Sequence, residues 1–160
     1  MARTLDPARA EQDARTRFAD LGTAPPAVRD DNGVEHSPDA RYTEICRRAK
    51  LIATSDGLAD AVTAHLSTAG IEAEVHQVRA DPAEGDEQVM TLRTTTADGT
   101  PVLVPLRPGA TTLRIYPFTD SLVLPEPPLH VIELPTTARS ADGWVDATTI
   151  AQTLKAHLHP

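Results

Sequence analysis

Apolar residues recur at helical spacing near the start of the chain, directly after a helix start signal. Asp6 is a good N-cap, and Pro7 suits the first position of a helix. The apolar stripe that follows is thin and consists of Ala10, Ala14, Phe18 and Leu21. A helix with so few large apolar residues is marginal on its own. We therefore predict a helix over residues 6–21 that docks through Phe18 and Leu21, on its own domain or on a partner.

Residues 23–37 show hardly any periodicity. They contain a proline pair and the turn dipeptide Asn32-Gly33, a composition typical of a linker or an exposed loop. We predict that residues 1–37 are an N-terminal helix plus linker, and that residues 38–160 form a single α+β domain.

Two helical patterns follow, separated by a polar break at residues 54–57. The first covers residues 38–53 and has a continuous apolar stripe at spacings of three, four and three: Tyr42, Ile45, Ala49 and Ile52. The second covers residues 56–69 and ends at Gly70, a residue type that readily adopts the left-handed conformation after a helix. The pattern predicts two separate helices.

From residue 71 the period changes to two, which predicts half-buried strands. The strand candidates are residues 71–76, 89–96, 102–106, 112–118, 121–124 and 129–134. Asp98-Gly99 is a hairpin signal between the second and third of them. Eight of the 14 prolines lie between Pro101 and Pro135, so these strands must be short, edge-like or bulged. We predict that residues 71–134 form one antiparallel sheet.

A last helix is predicted after Asp146, its candidate N-cap, with Ile150, Leu154 and Leu158 facing inward. The order of helices, then strands, then a helix indicates an α+β fold. We expect an antiparallel sheet of about five short strands packed against helices, with a tethered N-terminal helix.

Composition narrows the function classes. The net charge of −8 disfavours binding to nucleic acid or to anionic lipid. No stretch approaches the ~20 apolar residues of a membrane span, and the few aromatic residues provide no platform for stacking bases. Cys46 is the only cysteine, which fits a reducing cytoplasm. We predict a cytoplasmic protein with no nucleic-acid or membrane partner.

No known catalytic or cofactor motif is present. The chain lacks the glycine-rich nucleotide loops, the nucleophile elbow and the common zinc motifs. Glu72, Glu74 and His76 share one strand face and could ligate a divalent ion, although a solvated outer face is the more common arrangement. Cys46 lies beside an apolar stripe, where a packing thiol is commoner than a nucleophile. We predict no cofactor, no metal and no catalytic residue.

Residues 38–69 can be drawn as the helices of a winged helix–turn–helix, a fold that binds DNA. The second helix contains no Arg or Lys and begins at Asp56, so phosphates would repel it. The basic residues Arg47 and Arg48 lie on the first helix, where Glu44 can pair with Arg48. DNA binding is therefore the weakest alternative.

Two functions of different classes remain. The first is a non-catalytic protein–protein interaction protein, such as an adaptor, an assembly component or an inhibitor-type partner, that binds another protein or itself through Phe18 and Leu21. The alternative is a small enzyme whose site converges on the polar face of the sheet. Its candidate residues are Glu72, His76, Arg93 and Arg114.

Overall fold

Residues 6–160, which the computed structural model describes, form three α-helices and two antiparallel sheets. The helices are α1 (Pro7–Ala19), α2 (Ala40–Thr68) and α3 (Ala147–Leu158). A small sheet contains β1 (Val28–Arg29) and β2 (Glu35–His36). The main sheet contains β3 (Ala73–Asp81), β4 (Glu87–Thr95), β5 (Pro101–Pro105), β6 (Thr112–Pro117) and β7 (His130–Glu133). The predicted α+β class is confirmed.

The main sheet is a meander in which each strand pairs with the next along the chain, in the order β3-β4-β5-β6-β7. Asp98-Gly99 lies at the tip of the β4–β5 hairpin as predicted, and Gly99 adopts a φ of +86° that favours glycine. Residues 121–124 were predicted to be a strand, and this is wrong. They form only an isolated bridge between Val123 and Ala80, and the prolines that follow cannot donate to a ladder.

The main core lies between one face of the sheet and the helices. Leu92, Val104 and Ile115 from the sheet are fully buried in the same cluster as Leu58 and Leu154 from the helices. The opposite face of the sheet has a smaller core of Leu103, Tyr116 and Leu124, with Phe118 against it. The segment after β6 therefore covers part of a face that would otherwise be exposed.

Helix α2 is continuous, so the prediction of two helices separated at residues 54–57 is wrong. The polar residues there make contacts with other parts of the fold. The Ser55 hydroxyl is buried, donates to the Leu106 carbonyl (2.6 Å) and accepts from the Met90 amide (2.9 Å). Gly57 lies where α1 crosses, because a Cβ there would be 3.0 Å from the Cβ of Ala14. Ser55 therefore connects α2 to the sheet and Gly57 allows α1 to pack closely on α2, and neither residue ends the helix.

Helix α1 begins as predicted, since the Asp6 carboxylate accepts from the amides of Ala8 (3.1 Å) and Arg9 (3.4 Å). The helix packs on α2 within the same chain, and Ala14 is fully buried in the main core. Arg15 also forms a two-bond ion pair with Asp142, at 2.8 and 3.0 Å. The two sides of residue 37 therefore share one core in this structure.

Residues 23–37 are largely exposed, as expected, but they are not without structure. Val28 pairs with His36 and Arg29 with Glu35 in a two-stranded hairpin. The Asp30 carboxylate closes its turn by accepting from backbone amides on the other side. The hairpin connects α1 to the start of α2.

The start of α3 is capped from α1. Asp146 occupies the N-cap position, but its side chain makes no capping hydrogen bond, so that part of the prediction is wrong. Instead, Glu11 Oε2 accepts from the Ala147 amide (3.0 Å) and from the Trp144 indole Nε1 (3.1 Å). Trp144 is almost fully buried. The acceptor for its indole N–H comes from Glu11, 133 residues earlier in the chain.

Replacing Ser55 with alanine should lower the free energy of unfolding by about 1–3 kcal/mol, because a buried amide and a buried carbonyl lose their shared partner. Chemical denaturation measures this change. Ser67→Ala is the matched control on the exposed face of the same helix and should change stability by less than about 0.5 kcal/mol. Equal effects of the two substitutions would contradict the bridging role.

Replacing Glu11 with alanine should destabilise the fold by about 2–4 kcal/mol, since it leaves two donors near the start of α3 without an acceptor. Asp13→Ala removes the same charge from an exposed position of α1 and serves as the control. Thermal and chemical unfolding of both variants check the prediction. If Glu11→Ala unfolds like Asp13→Ala, the contact of α1 with the core contributes no stability.

Candidate functional site

The first three turns of α2 extend beyond the core. Every buried residue of the helix lies at Leu51 or later, and residues 40–50 span about 15 Å of helix at 1.5 Å per residue. The sheet contacts the helix through Ser55, and α1 crosses it at Gly57. The start of α2 therefore contributes no buried residue, and its contacts with other elements include the polar ones of Arg47 with Glu87 and Lys50 with Asp20.

An exposed apolar stripe runs along this segment. It consists of Tyr42, Ile45, Ala49 and Ile52, and we call it the α2 stripe. Tyr42 is 47% exposed and Ile45 is 55% exposed. Ala49 is exposed as well, and Ile52 is half-buried. A stripe with this spacing ordinarily faces a core, so its exposure marks a candidate docking surface.

Other exposed apolar residues lie close by in sequence. Eight large apolar side chains are strongly exposed in residues 6–160, and four of them fall between residues 28 and 45. These four are Val28 and Val34 of the hairpin, together with Tyr42 and Ile45. The other four lie between residues 122 and 131. The exposed apolar side chains are thus grouped in two parts of the chain.

Charged residues line one side of the α2 stripe. Glu44 accepts hydrogen bonds from Arg47 (2.9 Å) and Arg48 (3.1 Å), which confirms the pairing expected for Arg48. Hydrogen bonds from Arg47 and then Arg48 lower the pKa of Glu44 to about 2. Arg47 also reaches Glu87 at the start of β4, 3.5 Å away. Arg47 and Arg48 thus form ion pairs within the chain.

The predicted partner-binding residues Phe18 and Leu21 occupy different environments. The Phe18 ring is half-buried, with its centroid 5.4 Å from that of Trp144, and it lies beneath Gly109. Leu21 is half-exposed just after the end of α1. The helix is docked through Phe18 on its own domain, one of the two arrangements expected. A partner-binding role for Phe18 and Leu21 stays a prediction.

A shallow cavity of about 340 Å³ lies at the start of β3 and the end of β4 and is lined in part by Glu72, Glu74 and Arg93. Arg93 lies 3.7 Å from the Glu74 carboxylate. Its guanidinium also stands 4.5 Å from the centre of the Phe118 ring, a cation–π contact. Two of the three charged side chains of this cavity, Arg93 and Glu74, therefore pair with each other.

The trio Glu72, Glu74 and His76 is not gathered into a metal site. The pairing of β3 with β4 shifts register between Val75 and Val78, which breaks the simple alternation across His76. The His76 Nδ1 atom instead lies 3.0 Å from Nη2 of Arg79. No group of three or more ligating side chains suited to a metal occurs within residues 6–160.

Arg114, the last of the enzyme candidates, pairs with Glu84 at 2.9 Å. Arg107 joins the same cluster and lies 3.1 Å from Glu87. Of the four candidates, Glu72 and Arg93 line the same cavity, and His76 and Arg93 both contact the Phe118 ring. Arg114 lies apart from them in its pair with Glu84.

Sequence reasoning missed three buried polar residues on this face: Arg79, Asp81 and Tyr116. Arg79 is fully buried, donates to the Ser121 carbonyl and so anchors the segment that covers the sheet. Burial lowers its pKa. Asp81 accepts from the Tyr116 hydroxyl at 3.2 Å. Burial raises the pKa of both groups in this pair. The alternating pattern of β3 and β6 places these residues on the outer face of the sheet, but it does not indicate that the segment after β6 covers that face.

Cys46 is half-buried in the first three turns of α2, one turn after Tyr42. A hydrogen bond between the two side chains raises the pKa of Tyr42. This contact fits a packing thiol, and the site beside the α2 stripe contains no identified catalytic partner among the described residues.

Comparison with protein-family models, with curated proteins and with solved structures found no match to this chain. None of the helices in residues 6–160 combines the length and apolar character needed to cross a membrane. Assignment of function therefore rests on the geometry of the chain itself.

The buried Asp81–Tyr116 pair makes stability depend on pH in a defined direction. Burial raises the pKa of Asp81 in the folded protein above its value in the unfolded chain. The ionised carboxylate therefore destabilises the fold at neutral pH. This destabilisation is lost as pH falls through the folded pKa, because the carboxyl group is then protonated. The Tyr116 hydroxyl opposes the shift. Tyr116→Phe should therefore cost about 1.5–3 kcal/mol at neutral pH and less at about pH 3.

Chemical denaturation at both pH values checks this expectation. Tyr42→Phe, at an exposed tyrosine, is the control and should show a smaller effect with little difference between the two conditions. A cost for Tyr116→Phe that is independent of pH would show that its hydroxyl does not stabilise an ionised Asp81.

Proposed function

We propose that this protein is a non-catalytic protein–protein interaction protein, acting as an adaptor, an assembly component or an inhibitor-type partner. The observation that carries the proposal is the exposure of the α2 stripe at the start of a helix whose buried residues begin at Leu51. A regular amphipathic helix face without a partner in its own fold is the element that helix-in-groove recognition uses.

The energetics suit a specific, reversible contact. Complete burial of a large apolar side chain is worth roughly 1.5–3 kcal/mol, and Tyr42 and Ile45 have about half of their surface left to bury. The segment is already helical, so a partner does not have to order its backbone. Leu21 is a further proposed contact, whereas the Phe18 ring packs against Trp144 and supports α1 within the fold.

The enzyme alternative has weaker support. The cavity beside Glu72 is open, and its one basic side chain, Arg93, pairs with Glu74. The two groups whose pKa values are raised by burial, Asp81 and Tyr116, are not among the residues lining that cavity. A perturbed group in a cleft is the usual mark of an active site.

DNA binding also loses its basis, because residues 38–69 contain one continuous helix rather than a helix–turn–helix pair. The acidic net charge opposes phosphate binding as well. The single cysteine supports a cytoplasmic location as part of the proposal.

The proposal is tested by affinity capture with the full chain, comparing the wild type with Ile45→Asp. We expect the substitution to abolish capture of specific partners while the thermal unfolding profile is kept, because Ile45 contributes little to the core. Val131→Asp is the matched control, since Val131 is 57% exposed on β7, far from α2 in sequence. Identical sets of captured proteins for the wild type and Ile45→Asp, identified by mass spectrometry, would sink the proposal.

A further inference from the structure

The spacing of the α2 stripe is that of a two-helix contact. Tyr42, Ile45, Ala49 and Ile52 follow one another at three, four and three residues, the a/d pattern of a heptad with an average period of 3.5. Such a pattern packs best against another helix of similar spacing. Ala49 lies at its middle and Ala53 beside it, and these small side chains allow the axes of two helices to approach closely.

Charge along the same helix is distributed asymmetrically. Arg41 precedes Ala49 by eight residues, and Asp56 follows it by seven. Two copies of α2 crossing at Ala49 in antiparallel orientation would therefore bring Arg41 of each copy opposite Asp56 of the other. A parallel arrangement would instead place like charges together, which is unfavourable.

We propose that the α2 stripe binds the α2 helix of a second copy of this chain, in an antiparallel pair that crosses near Ala49. This inference rests on the proposed function, because it names the partner of the same surface. The complementary ends of the helix argue for this occupant against the general repulsion of two chains that each have a net charge of −8.

The contact should be weak. A pair of short helix segments buries less than the roughly 1,200 Å² typical of stable complexes, so we expect a dissociation constant on the order of 10–100 µM. The dimer is therefore expected to form and dissociate as concentration changes.

Sedimentation velocity of the full chain from about 5 to 500 µM measures this equilibrium. The expected result is an average mass that rises from 17.1 kDa towards twice that value, with loss of the rise in Ile45→Asp. A monomer at every concentration overturns the inference. In that case capture of a different protein that depends on Ile45 would still uphold the proposed function, so the two failures are distinguishable.

Charge reversal tests the orientation. Arg41→Glu and Asp56→Arg should each weaken the dimer by roughly five- to tenfold, and the double variant Arg41→Glu/Asp56→Arg should return to within about twofold of the wild type. The two positions are 15 residues apart on one helix, about 22 Å, so they cannot pair within a chain. Rescue therefore requires a contact between copies.

The paired substitutions Arg9→Glu and Asp13→Arg provide the control, because they reverse exposed charges on α1. They should leave the dimer unchanged. A dimer that is weakened by each single reversal at Arg41 and Asp56 but is not rescued by the double variant overturns the antiparallel arrangement. Insensitivity to all three variants overturns the use of this helix face.

Discussion

Two adjacent features in the middle of α2 determine how the layers of this protein meet. The buried Ser55 hydroxyl joins the helix to the backbone of β4 and to the residue just after β5. Two residues later, Gly57 leaves space for α1 to cross at Ala14. Because a hydrogen bond on one side and a close approach on the other fix the same turn, the helix has little freedom to slide or rotate. Its position in turn decides which parts of it are covered.

The docking of α1 extends this constraint to the end of the chain. Glu11 accepts from Trp144 and from the start of α3, and Arg15 pairs with Asp142. The arginine also holds the pKa of Asp142 well below its usual range. The three helices are thus connected at the middle of α2, while Tyr42 and Ile45 lie outside that contact. The same packing that stabilises the core leaves the α2 stripe available to a partner.

Local signals in the sequence were sufficient where the structure is local. The Asp6-Pro7 helix start, the Asp98-Gly99 hairpin and the meander of strands all follow from short-range pattern. The errors lie where contacts are distant in sequence. Ser55 and Gly57 resemble a helix break until β4 and α1 are placed beside them, and Asp146 resembles a cap until Glu11 takes that role. The α2 stripe was visible in the sequence, but its exposure was not, because periodicity indicates an apolar face without indicating what covers it.

The most direct test of self-association through the α2 stripe is the methyl spectrum of isoleucine-labelled protein recorded over a range of protein concentrations. The chain contains six isoleucines, of which Ile45 and Ile52 lie on the α2 stripe and Ile115 and Ile150 lie in the main core. If two copies pair through this surface, the methyl shifts of Ile45 and Ile52 move progressively with concentration while those of Ile115 and Ile150 stay fixed. Constant shifts at Ile45 and Ile52, or equal movement of the core methyl groups, would contradict this pairing.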